Sequence, residues 1–287
     1  MGSISLGRRR YHCVMLLSFF FLAVGAYGQT YQEWVERSFD CLDRQHLDSA
    51  AVCLQAAMQV EPGNPNNFAL LTNLGTIQRQ SGKTAEALIS YTAALSRYPE
   101  NIDLIENRAS LYAEMNEPEK AIADYSTMLV HNPHHQPALY ARGMLYLQQK
   151  NFILAEADFD KLLEVNDKTA NGRIGYALLE KMRGNYDDSE RIYNFLIDKF
   201  PRDWRLYEGR ADLYFRMGKN ARAMADINKL FAEAEQPSAA LYVLRGKVKL
   251  ALHEKASAGE DFRKALEMGY DAEIIAFLTT ETQRTRR

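Results

Sequence analysis

The stretch GTIQRQSGKTAEALISYTAALSRYP, from Gly75 to Pro99, decides the fold. In it one small residue, Gly75, is followed twelve positions later by another, Ala87, then by the aromatic Tyr91 and by Pro99. The pattern returns 34 residues on as Ala109, Ala121, Tyr125 and Pro133, and again as Gly143, Ala155 and Phe159, with Asp167 in place of the proline. Two more steps give Ala177, Ser189, Tyr193 and Pro201, then Ala211, Ala223 and Ile227 with Pro237 displaced. After a one-residue insertion the last copy has Gly246, Ala258 and Phe262. Backwards, across an insertion within Gly63 to Asn67, the first copy has Trp34, Ser38, Ala50, Leu54, Ala57 and Pro62. Seven copies in phase mark a protein built by stacking one supersecondary unit.

That unit is a helical hairpin. Leu139, Gly143 and Tyr146 recur at three- and four-residue intervals, as do Ala155, Phe159 and Leu162, and the Lys150-Asn151 break between them is a turn. Gly or Ala at the paired small positions lets two helices cross closely, and the aromatics Tyr91, Tyr125, Phe159, Tyr193 and Phe262 fill the layer between hairpins. A single hairpin cannot bury both of its faces, so copies must stack and the ends need caps. Residues 271–282 read as a capping helix, with Asp271 as its N-cap and Ile274, Ile275 and Leu278 over the last layer.

These residues resemble the tetratricopeptide repeat family, whose signature is W-x2-L-G-x2-Y, then A-x3-F, then P. The resemblance runs from about Tyr31 to Asp271, with Trp34 the only signature tryptophan. It implies an all-α, right-handed superhelical solenoid in a single domain spanning 29–287. The copies fall near 31–67, 68–101, 102–135, 136–169, 170–203, 204–238 and 239–270. It also implies a non-enzymatic scaffold whose partners are other proteins or peptides.

Outside the repeats, Arg8 to Arg10, the apolar run Val14 to Val24 and the small-residue site Ala26-Tyr27-Gly28 have the layout of a signal peptide cleaved after Gly28. Read instead as a retained anchor, the run breaks at Gly25, short of the roughly 20 apolar residues a span needs. Export to a periplasmic, envelope-associated or secreted location is the expectation, with association with envelope complexes open. Of 287 residues 47% are hydrophobic and 25% charged, a composition that folds. Without the first 28 residues the chain carries 32 basic against 37 acidic residues and no cationic run, which argues against nucleic acid as partner.

Four copies place Arg just before the first small residue and Asp three after the second: Arg108 with Asp124, Arg142 with Asp158, Arg210 with Asp226 and Arg245 with Asp261. A ladder of arginines for anionic ligands would use the same residues. The two members mostly vary together, copies two and five lacking both, with Leu74 and Ser90 and with Tyr176 and Ile192, while copy one has Arg37 with Cys53, and this favours structural ion pairs. Cys41 and Cys53 are expected as free buried thiols, because an axial count from the Ser38–Ala50 crossing separates them by about 9 Å. His131, His134 and His135 flank a turn without further metal-ligand residues at a ligand spacing, so no metal is expected. No nucleophile elbow, zinc-protease or phosphate-loop motif is present, and neither catalysis nor a cofactor is expected.

In the family the resemblance points to, first helices line a concave face. The corresponding positions are Tyr140, Met144 and Leu147 in copy four, then Ile174, Leu178 and Lys181 in copy five. Glu106 and Ser110 stand before them, Glu208, Asp212 and Phe215 after. The expectation is an apolar central groove with acidic shoulders for a partner peptide or helix. Alternatively, Leu147 and Leu178 pack against neighbouring copies. Val35, Phe39, Thr72, Asp103 and Glu106 occupy places where family members that clamp acidic chaperone tails carry cations or amides, which speaks against that ligand. Capture of a small ligand or glycan is the other open function, and stacked aromatics with amides would distinguish it.

Overall fold

The computed structural model describes residues 28–167 and 169–284. The proposed signal segment lies, up to residue 27, outside them. Among the described residues there are fifteen helices and no strand. They form seven consecutive hairpins, α1 (Tyr31–Asp43) with α2 (Leu47–Val60), α3 (Asn67–Gln80) with α4 (Thr84–Arg97), and α5 (Ile102–Glu114) with α6 (Pro118–His131). Then come α7 (Gln136–Gln148) with α8 (Phe152–Val165), α9 (Ala170–Arg183) with α10 (Tyr186–Lys199), α11 (Trp204–Arg216) with α12 (Asn220–Glu233), and α13 (Ala239–Ala251) with α14 (Lys255–Glu267). A last helix, α15 (Ala272–Arg284), follows. No helix of the described residues is long and apolar enough to cross a membrane.

Local chemistry sets the ends. Thr30 and Glu33 form a reciprocal capping box at the start of α1. Asn101, His135, Ser238 and Asp271 each accept from a backbone N–H of the helix they precede. His135 is thereby spent as the cap of α7 through Nδ1. Every hairpin turn contains one residue in the left-handed region at the same place in its copy: Gln45, Gly82, Asn116, Lys150, Gly184, Gly218 and His253. That single residue reverses the chain between two helices, and only three of the seven are glycine.

The chain divides into two compact units, Met1–Pro133 and His134–Arg287. In the first, one core cluster joins Ala50, Leu54 and Ala57 of α2 to Leu70, Leu74 and Ile77 of α3. Cys53 is buried there, and its thiol is pushed up by burial and then by the neighbouring Cys41 thiol. Both cysteines are free, as expected, with Cys53 buried and Cys41 only half-buried.

In the second unit Phe159 is fully buried between Gly143 of its own hairpin and Gly175 of the next. A β-carbon at Gly143 would lie 2.6 Å from Phe159 Cε1, and one at Gly175 would lie 2.5 Å from the same atom. Leu147, Ala155 and Leu179 complete that layer. At the C-terminal end Asp271 Oδ1 accepts from the N–H groups of Glu273 at 2.8 Å and Ile274 at 3.1 Å. Ile275 is buried against Val243, Ala258 and Phe262, and Leu278 is half-buried on the same cluster. Ile274, expected in that layer, is 43% exposed, because it precedes Ile275 by one residue and so points about 100° away round the helix.

Candidate binding surface

In the second unit the first helices α7, α9, α11 and α13 touch in succession, so residues on one stripe of each form a common surface. Tyr140 and Met144 of α7 and Leu178 of α9 are half-buried, and all three pack on the layer around Phe159. The Tyr140 ring sits 6.4 Å from that of Phe159. Its hydroxyl is held above the usual phenol range, chiefly by burial, with Arg205 opposing and Asp203 adding to the effect.

Leu147 and Ile174, expected on this surface, belong to the core instead. Leu147 is 2% exposed and packs in one layer with Leu178 and Leu179 of the next hairpin; Ile174 is 8% exposed, among Tyr193, Leu206 and Leu213. The next hairpin in each case closes over the side chain, which for Leu147 is the packing alternative. The shoulder after them also differs from expectation. Asp212 accepts from Lys181 Nζ at 2.7 Å and from Arg216 Nε at 3.1 Å. Burial pushes the Asp212 carboxyl up, but Lys181 and then Arg216 outweigh burial and hold it below the usual carboxylate range. Arg205 forks onto Asp203 through Nε at 2.9 Å and Nη2 at 2.7 Å, and reaches Asn171 of α9. Glu208 remains exposed and Phe215 half-buried. The surface is therefore a short apolar floor of three side chains with a charge-compensated rim.

In the first unit the corresponding positions are Val35, Phe39 and Leu42 in copy one, Thr72, Thr76 and Arg79 in copy two and Glu106, Ser110 and Ala113 in copy three, so that polar side chains prevail only in the second and third copies. Ser110 shares a hydrogen bond with the Tyr125 hydroxyl at 3.2 Å, Thr76 shares one with that of Tyr91 at 3.1 Å, and Arg79 forks onto Glu114.

The four arginine–aspartate pairs all form as two-bond forks within their hairpins. Nε and Nη2 donate to Oδ2 and Oδ1 at 2.8 and 2.8 Å for Arg108 and Asp124, 2.9 and 2.6 Å for Arg142 and Asp158, 2.8 and 2.7 Å for Arg210 and Asp226, and 2.9 and 2.5 Å for Arg245 and Asp261. Each aspartate is buried. In the first three the guanidinium also lies 5.6–5.9 Å from a tyrosine ring one turn on, Tyr112, Tyr146 or Tyr214. Arginines committed in this way hold hairpin register and are not presented as an anion ladder. Copy two substitutes a buried hydrogen bond, Ser90 Oγ to Gln78 Oε1 at 2.7 Å. Copy five has no fork, and there Ser189 Oγ donates to the Ala177 carbonyl oxygen at 2.6 Å across the hairpin.

Comparison with known proteins agrees with this architecture. A family model described as tetratricopeptide repeat matches residues 42–102, 107–171 and 175–240. The crystal structure of a tetratricopeptide repeat protein from Parabacteroides merdae is 62% identical, with a TM-score of 0.85, over 89% of this chain and 100% of that one. PilW, described as a widely conserved type IV pilus biogenesis factor, superimposes with a TM-score of 0.59 at 19% identity over 76% of this chain and 100% of its own, which speaks to fold alone. Among curated proteins, RNA polymerase II-associated protein 3 of Xenopus tropicalis is 36% identical over 99 residues, 32% of this chain and only 15% of that relative's length.

Proposed function

The chain belongs to the tetratricopeptide repeat family, whose members are generally protein–protein interaction scaffolds, and from that premise we propose an exported, non-enzymatic scaffold. In this reading a segment of another protein lies on the surface formed by α7, α9 and α11. The observation that carries it is the floor of Tyr140, Met144 and Leu178, half-exposed within a rim of compensated charges. A short apolar anchor would gain burial there, while the rim would exclude water and set orientation. One aromatic ring on this surface suits an apolar side chain better than a stacked sugar. Export rests on the segment from Arg8 to Gly28.

Two measurements test this. A photo-crosslinking residue at position 144 is expected to trap a discrete partner in envelope fractions, whereas the same probe at position 153, on the exposed side of α8, is not. Equal adducts from both positions, or none from position 144, would remove the surface from consideration. N-terminal sequencing of the native protein is expected to start at Gln29, and a mature chain beginning at Met1 would end the case for a cleaved signal.

A further inference from the structure

The fifth hairpin, α9 with α10, departs from its neighbours in the second unit. Tyr176 and Ile192 stand where copies four, six and seven carry the arginine–aspartate fork, and a groove of about 460 Å³ opens between the two helices. Tyr176 and Ile192 line its middle, with Arg173 and Phe195 at one end. These last two are also an exchange. In copy six the equivalent positions hold Tyr207 and Lys229, where the Lys229 ammonium lies 4.2 Å from the ring centre and donates to the Tyr207 hydroxyl at 2.8 Å. In copy five the cation has moved to the first helix and the ring to the second. Arg173 lies 5.1 Å from the ring of Phe195, which is 45% exposed.

The charges at the two ends differ. At the far end Asp188 pairs with Arg191, and Glu180 accepts from Arg183 at 3.0 Å and from Asn185 at 2.6 Å. Arg173 donates from Nη2 to the Asp167 carbonyl oxygen at 3.2 Å, and no carboxylate among the described residues pairs with it. A guanidinium has five N–H donors in a fixed fork, so most of its capacity faces the groove or solvent. The groove thus offers a middle of Ile192 and the Tyr176 ring, whose hydroxyl donates to Asp160, and a positive end at Arg173. Its residues Arg173, Tyr176 and Glu180 lie on a stripe of α9 roughly opposite the one carrying Ile174, Leu178 and Lys181.

We infer that this groove is a second binding site, separate from the surface of α7, α9 and α11. It takes a segment of a partner protein in which an apolar side chain is followed directly by a carboxylate. The apolar side chain covers Ile192 and the exposed face of Phe195, and the carboxylate meets the Arg173 fork. In the four hairpins with a fork the arginine and aspartate stand at the positions of Tyr176 and Ile192.

The test uses two end-blocked, fluorescein-labelled pentapeptides, Gly-Gly-Leu-Asp-Gly and its Leu-Asn counterpart, titrated into the mature protein by anisotropy. The Leu-Asp peptide is expected to bind about five-fold tighter than the Leu-Asn peptide, the scale of one partly exposed charge pair. Arg173→Gln is expected to erase that difference. Tyr176→Arg with Ile192→Asp, which writes the fork of the other copies into this hairpin, is expected to abolish binding of both peptides while the helical circular dichroism is kept; should it misfold, Arg173→Gln still decides. Arg173→Gln is expected to leave the crosslink from position 144 unchanged, so failure of this site and failure of the other surface are separable. Equal affinity for the two peptides, undiminished binding to Arg173→Gln, or no binding at millimolar peptide overturns the inference. So does free 4-methylpentanoate binding as tightly as the peptide, which would make the groove a small-anion site.

Discussion

Arg142 holds Asp158 by two hydrogen bonds across the helices of one hairpin, and the aspartate is left only 4% exposed. Breaking such a pair from one side strands a buried charge, which costs about 3–5 kcal/mol, whereas replacing both members with apolar residues is near neutral. Arg142→Met is therefore expected to lower stability strongly in urea denaturation, and Arg142→Met with Asp158→Leu to recover most of the loss. If the double variant is as unstable as the single one, the pair does more than hold register.

Packing around Phe159 gives a second expectation. A β-carbon at Gly175 would sit 2.5 Å from two ring atoms, too close for the ring to stay in place. Gly175→Ala is expected to destabilise by about 1–3 kcal/mol through overpacking. Gly259→Ala in α14, where nothing lies within 4 Å of the new methyl, is expected to stabilise by about 0.5–1 kcal/mol. Thermal melts of both variants check the opposite signs.

The hairpin turns offer a third. Lys150 has φ of 59° and Asn116 of 56°, both left-handed without being glycine. Lys150→Gly relieves a side-chain clash and is expected to raise stability by about 0.5–1 kcal/mol, net of the added freedom of the unfolded chain. Asn116→Gly is expected to gain less, since asparagine tolerates this region. A melting temperature that falls for Lys150→Gly would show that the lysine side chain makes a compensating contact.

Acid should loosen the rim of the first surface. The folded Asp212 carboxyl is lowered, so its contribution is fully present above the unfolded carboxylate pKa of about 3.9 and is lost as pH falls through the folded value. Asp212→Asn is expected to be less stable than the wild type at pH 6, with the difference vanishing by about pH 2. A constant difference between the two proteins across that range would mean Asp212 acts through packing alone.

The sequence discloses the hairpins and their forks because both are local. Arg142 and Asp158 are sixteen residues apart and meet through the geometry of one turn and one crossing, which the positions of Gly143 and Ala155 already define. What lies between copies is less legible. Leu147 and Ile174 fall on a plausible surface stripe, yet the next hairpin covers each, and no count along a single helix reveals where that neighbour stops. Lys181 and Asp212 are 31 residues apart on different hairpins, so the neutralised shoulder was equally hidden. The groove of copy five had a visible signal, the simultaneous absence of the fork at Tyr176 and Ile192, but not the exchange of cation and ring at Arg173 and Phe195.

Because successive hairpins within each unit pack on one another, with the chain reversing at one left-handed residue per copy, each unit is also a ruler under load. Pulled from its ends, it would surrender its copies one at a time, and each event would lengthen the tether by the contour of 34 residues, about 115 Å at full extension. A host structure that strains this protein would feel a series of small equal yields, each able to re-form when the tension drops.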